Sequence, residues 1–138
     1  MNFALLEYEL FVLIHGLLGT EIEASRILTS ELSFRNLLDL SSSLVKQIHG
    51  EKEAERYKGV LKFASEAEDE RNRIIHSVWG SSGGKNIVRT KHTAKRGKGL
   101  GFQREEYTEE DLSAVAHTIS RAIFSVEKFR ESLGYGWA

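Results

Sequence analysis

The sequence predicts an all-α domain, a four-helix bundle-like fold with one basic, glycine-rich insertion between its third and fourth long helices. Three observations predict it. The 138 residues contain no proline, where about 5% is average, and proline is the residue that most often interrupts helices and punctuates loops. Apolar residues recur at three-and-four spacing through four long segments, the period of one helix face. Six of the 12 glycines fall within residues 80–104, so helix breakers are thin elsewhere. The length and a 41% apolar fraction suit one domain over residues 1–138, built on a single core.

Residues 3–18 are apolar nearly all round, as a helix central to a bundle is, and Gly16 with Gly19 is expected to end them. Thr20 and Glu23 have the spacing of a capping box, opening a short helix through Leu28. Residues 31–49 carry the cleanest stripe: Phe34, Leu37, Leu38, Ser41, Leu44, Val45 and Ile48, closed by Gly50 as C-cap. Residues 51–78 form the third long helix, its buried face set by Ala54, Tyr57, Val60, Leu61 and Ala64. The fourth opens on Thr108, with Asp111 at N3 and Tyr107 and Leu112 placed to staple. Its stripe runs from Leu112 to Leu133, before Gly134.

Nineteen basic against 20 acidic residues give a net charge of -1. Such a balance excludes disorder by composition and any global pull toward nucleic acid or membrane. The absence of cysteine excludes a disulfide scaffold, thiolate metal ligation and a catalytic thiol, and fits a reducing compartment. Near the N-terminus Glu7 and Glu9 interrupt the apolar run, and the uncharged residues 10–20 fall far short of the roughly 20 needed to span a bilayer. No membrane contact and a cytoplasmic location are expected.

Charge is nevertheless uneven. Residues 80–104 hold Lys85, Arg89, Lys91, Lys95, Arg96, Lys98 and Arg104 and no acid, +7 in all, which leaves 12 basic against 20 acidic residues, -8, elsewhere. Seven like charges repel one another unless a polyanion relieves them, so this insertion is the expected nucleic-acid contact. Ile87-Val88 and Leu100 to Phe102 are compatible with two short strands of a hairpin, while the glycines suit a loop.

On the third long helix, the stripe that carries Tyr57, Leu61 and Ala64 next delivers Glu68, Arg71 and Asn72 before turning apolar again at Ile75 and Val78. Three polar groups stand where core is expected, so they must pair with each other, line a cleft or meet another subunit. Glu68 and Arg71, at i and i+3, are near enough to pair, and Asn72 and His76, at i and i+4, share a flank. An arginine suited to bidentate phosphate contact and a histidine that titrates near neutrality are what RNA cleavage needs, since RNA supplies its own 2′-OH nucleophile. Asn72 is placed to hold the imidazole or a phosphate oxygen, and Glu68 to orient the guanidinium. Arg71 and His76, five residues apart, diverge by about 140° on one helix.

The string from Glu68 to His76, Glu-Asp-Glu-Arg-Asn-Arg-Ile-Ile-His, is Arg-x4-His with Asn directly after the Arg. It resembles the signature of the HEPN superfamily, small all-helical proteins whose Arg-x4-6-His motif marks metal-independent ribonucleases of toxin, phage-defence and RNA-processing systems. The resemblance implies an endoribonuclease with Arg71, His76, Asn72 and Glu68 at its site and no metal or other cofactor. It also implies a homodimer whose two motifs face each other, which answers the 140° divergence, and an antitoxin or other protein partner. The basic insertion lies outside the family's minimal pattern. Ser77 and Val78 follow the motif, so the His-x-Tyr continuation of some relatives is lacking.

Two other readings compete. One is a catalytically inactive HEPN-like dimer that binds nucleic acid or nucleotide. The other is a magnesium-dependent all-α nucleotide pyrophosphatase using Glu66, Glu68, Asp69 and Glu70, against which stands the lack of a second paired-acid motif on the preceding helix. Of the other histidines, His15 reads as a core residue, His49 as a helix-end partner, His117 as solvated and His92 as a loop residue within reach of RNA. Trp79 and Trp137 are suited to packing or to stacking on a base, with packing the favoured role for both.

Overall fold

The computed structural model describes residues 3–75, 77–81, 87–95, 99–107 and 109–136, with side chains described for 3–74 and 109–136. Helix α1 (Phe3–Leu18) is central because its sequence offers apolar residues on more than one side. Leu6, Leu10, Leu13 and Ile14 are fully enclosed, each such burial stabilising the fold by about 1.5–3 kcal/mol. Helix α1 lies beside α3 (Phe34–His49) and α5 (Glu109–Ser132), and α4 (Glu51–Ile75) lies beside the same two. Helices α1 and α4 therefore occupy diagonal corners of a four-helix bundle, and the short α2 (Ile22–Thr29) packs on α1.

The stripes predict the core well. Phe34, Leu37, Leu38, Ser41 and Val45 of α3 are buried, as are Val115, Ile119, Ala122, Val126 and Phe129 of α5. Ile48, at the end of the α3 stripe, stands exposed. Ser41 is tolerated in the core because its hydroxyl donates to the Leu38 carbonyl and is hydrogen-bonded to the Tyr57 hydroxyl, both at 2.8 Å. A single residue, Gly50, links α3 to α4. Its amide donates to the Lys46 carbonyl and its carbonyl accepts from Ala54, a reversal made at φ 92°, where a side chain would be strained.

Several boundaries differ from expectation. Gly16 does not end α1; it lies within the helix, where a Cβ would come 2.6 Å from Cγ of Tyr135, so glycine is required for close approach. Thr20 is not an N-cap. Glu21 holds that position, and the Thr20 hydroxyl instead bonds the Ser25 hydroxyl at 3.1 Å. Helix α3 begins at Phe34 rather than Glu31, because Ser33 accepts from the Asn36 amide and caps it there. Helix α5 ends as predicted near Gly134, whose amide donates to the Glu131 carbonyl while Tyr135 donates to that of Arg130, the paired bonds of a Schellman motif. Thr108 lies outside the described residues.

The largest difference is in the insertion. Helix α4 stops at Ile75, not Val78, and three strands follow: β1 (Ser77–Ser81), β2 (Ile87–Lys95) and β3 (Gly99–Tyr107), in the order β1-β2-β3 and antiparallel throughout. Val78 and Trp79 belong to residue types that suit a strand as well as a helix. The bundle itself is helical as expected, and the insertion adds a sheet to it. Among the described residues, no single helix is long and apolar enough to cross a membrane.

Candidate functional site

The last turns of α4 reach the end of the bundle where α1 and α3 begin. Tyr57, Val60, Ala64 and Ala67 form the buried stripe of α4, and Glu68 continues it, buried although charged. Its counter-charge comes from α3: Arg35 Nη2 donates to Glu68 Oε1 at 2.8 Å, and Arg35 Nη1 donates to Ser65 Oγ at 3.2 Å. Glu68 therefore does not orient Arg71, as its spacing suggested. A partner 33 residues away displaces the one three residues away, because Arg35 approaches from the facing helix.

Arg71 turns toward α1. Its guanidinium carbon lies 4.2 Å from the centroid of the Phe3 ring, which in turn packs against Phe34 at 4.7 Å between centroids. Its Nε donates to Asn72 Oδ1 at 3.0 Å. The ring supplies a flat support for a flat cation, and the amide fixes its rotation. Among the described residues no carboxylate is paired with Arg71, whereas Arg73 is paired with Glu70. Among the described residues the half-buried Arg71 thus has no neighbouring acid to compensate its charge, and its terminal nitrogens are committed to no described group.

The structure brings Arg71 and Asn72 together and places Glu68 beside Arg35. His76 lies outside the described residues; in sequence it directly follows the last residue of α4. Glu68 does not require a second subunit for its counter-charge, since Arg35 supplies it within the chain. Of the predicted nucleic-acid contacts, Arg89, Lys91 and Lys95 stand on β2 and Arg104 on β3, while Lys85, Arg96 and Lys98 lie outside the described residues.

Arg35 was missed by the sequence reading, and no local signal marks it. A second missed pair is wholly internal: Arg130 Nε lies 3.3 Å from Glu9 Oε2 with both residues enclosed, and Arg130 Nη1 donates to the Tyr135 carbonyl at 2.6 Å. Burial pushes the Glu9 carboxyl above its ordinary value, against the pull of Arg130. Glu9 did carry a signal, as an acid at core spacing between Leu6 and Leu13. The remaining histidines serve packing or lie open. His15 Nδ1 is hydrogen-bonded to the buried Ser25 hydroxyl at 2.8 Å, fastening α2 to α1, while His49 Nε2 is bonded to the Tyr135 hydroxyl at 2.7 Å. His117 is exposed.

The acids proposed for a magnesium site are divided: Glu68 is held by Arg35 and Glu70 by Arg73. Among the described residues no three acid or histidine side chains are grouped as metal ligands. Comparison with family models, curated proteins and solved structures finds no match to the chain.

Proposed function

We propose that the chain is an RNA-binding, HEPN-like protein that cleaves RNA without a metal ion, through attack of the ribose 2′-OH. The observation that carries the proposal is Arg71: a guanidinium seated on Phe3, braced by Asn72 and paired with no described carboxylate. An arginine prepared in this way is suited to a phosphate, its two terminal nitrogens being bonded to no described group and so placed for bidentate contact. His76, five residues on, supplies a group that titrates near neutrality. The resemblance of the Arg-Asn-x3-His string to the HEPN signature joins the two into one site, and a homodimer bringing two copies together completes it.

In the proposed step His76 removes the 2′-OH proton, the 2′ oxygen attacks phosphorus, and the bond from phosphorus to the 5′ oxygen breaks. The leaving 5′ oxygen takes a proton from an imidazolium, and the products are a 2′,3′-cyclic phosphate and a 5′-hydroxyl. Arg71 stabilises the extra negative charge on the pentacovalent phosphorus. Asn72 holds Arg71 in place, and Glu68, drawn to Arg35, leaves that cation unneutralised. The test is cleavage of an end-labelled RNA pool in excess EDTA by the protein and by its His76→Ala form. Cleavage lost in the variant supports the proposal. Binding without cleavage by either form favours the catalytically inactive relative, and cleavage abolished by the chelator contradicts the metal-free step.

A further inference from the structure

The strand register divides the basic insertion into two unlike faces. Successive strand residues alternate between faces, and residues directly opposite one another share a face. Arg89, Lys91 and Lys95 are alternate residues of β2 and so share one. Trp79 of β1 is opposite Arg89, and Gln103 and Glu105 of β3 are opposite Lys91 and Arg89, which places all three on the same face. The other face holds Val78, Val88, Ala94, Leu100 and Phe102 together with Thr90 and His92, while Ile87 and its opposite Tyr107 fall at the end of the cationic face. Arg104, opposite Thr90, falls on this second face beside Glu106, opposite Val88, so the charges there cancel.

We infer that the face of Trp79, Arg89, Lys91 and Lys95 is a platform for single-stranded RNA, feeding the strand toward Arg71; the inference rests on the function proposed above. Three cations against one acid give this face a positive balance, and the apolar face has none. The three cations lie in a row along one strand, from position 89 to position 95, about 20 Å at about 3.4 Å per residue. A row of that length follows a phosphate backbone, and an indole in the same face offers a surface on which a base stacks without regard to sequence. Strand β1 begins two residues after α4 ends, so the chain of the platform lies close in sequence to Arg71. Single-stranded RNA is favoured over duplex because in-line attack by the 2′-OH needs a flexible backbone and because stacking on Trp79 needs an unpaired base.

The experiment measures binding of a labelled single-stranded RNA over a salt series. The triple variant R89Q/K91Q/K95Q is expected to bind at least about tenfold more weakly at moderate salt. Its slope of log affinity against log salt is expected to flatten by about 2, at about 0.7 per lost contact. K52Q, at an exposed position in the first turn of α4, is expected to change neither. Circular dichroism and melting report whether each variant folds. A second measurement leaves the sheet untouched: in a W137F background, emission from Trp79 is expected to be quenched when RNA binds.

The inference is overturned if K52Q weakens binding as much as the triple variant does, or if saturating RNA leaves Trp79 emission unchanged. It is also overturned if the triple variant binds RNA normally but changes the oligomeric mass, which would make the sheet a protein interface. Cleavage that still requires His76 while the triple variant binds normally would leave the proposed function standing without the platform. Binding through the platform with no cleavage would do the reverse, and no RNA binding by the unaltered protein would remove both.

Discussion

Two charged clusters interrupt the apolar stripes of this bundle, and they are resolved in opposite ways. Glu9 and Arg130 lie deep between α1 and α5, each the other's counter-charge, with the Tyr135 carbonyl accepting a further hydrogen bond from the guanidinium. At the far end of α4, among the described residues, one charge is matched and one is not: Glu68 is held by Arg35, and Arg71 rests on Phe3 with Asn72 as its polar partner. The first cluster is closed within the core. The second leaves a supported cation at the edge of the bundle, which is the condition for binding an anion from outside. An ionic group at a core position is thus assigned to structure or to chemistry by whether its counter-charge is already built in.

The largest effect expected from testing that comparison lies in the closed cluster. Glu9→Ala leaves the Arg130 guanidinium buried without its carboxylate and should cost about 3–5 kcal/mol in urea unfolding. The double variant E9L/R130M should recover most of the loss, because removing both charges leaves none unpaired. A smaller effect is expected from outside the cluster. Gly16→Ala drives a methyl into the Tyr135 ring, whose backbone holds Arg130 and whose hydroxyl is bonded to His49. A loss of about 1–3 kcal/mol should follow.

The smallest effect is a slope in pH. The Glu9 carboxyl is raised by burial above its ordinary 4.5, so the folded state holds this proton more tightly than the unfolded chain. Its contribution to stability is full below pH 4.5 and is lost as pH rises through the raised value. Glu9→Gln, which cannot titrate, should therefore gain stability relative to the unaltered protein as pH is raised from 4 toward 7. A constant difference across that range would show that burial does not govern this carboxyl.

How far the sequence revealed these features depended on their range. The α3 stripe was legible from Leu37, Leu38, Ser41 and Val45, because helix period and burial coincide, and Gly50 and Gly134 marked ends that only glycine turns easily. The end of α4 was not legible, since Ile75 and Val78 keep helical spacing while also suiting a strand. The sheet was legible in part: Ile87-Val88 and Leu100 to Phe102 fall in the paired strands β2 and β3, while the six glycines around them also suited a loop and β1 was read as the end of the helix. At the candidate site the adjacency of Arg71 and Asn72 was readable, being local. The pairing of Glu68 with Arg35 was not, because it depends on how α3 and α4 lie side by side.

The central claim is that Arg71 is held ready for a phosphate and does not serve to hold the fold. Arg71→Ala, compared with the unaltered protein for urea unfolding and for RNA cleavage in EDTA, tests it most directly. The account predicts a stability loss of no more than about 1 kcal/mol, the scale of one cation–π contact at a partly open site. It predicts a fall in cleavage rate of about a hundredfold or more, the scale of losing one preorganised charge at the transition state. A stability loss as large as that of Glu9→Ala, with cleavage per folded molecule unchanged, would contradict it and return Arg71 to the structural class of Arg130.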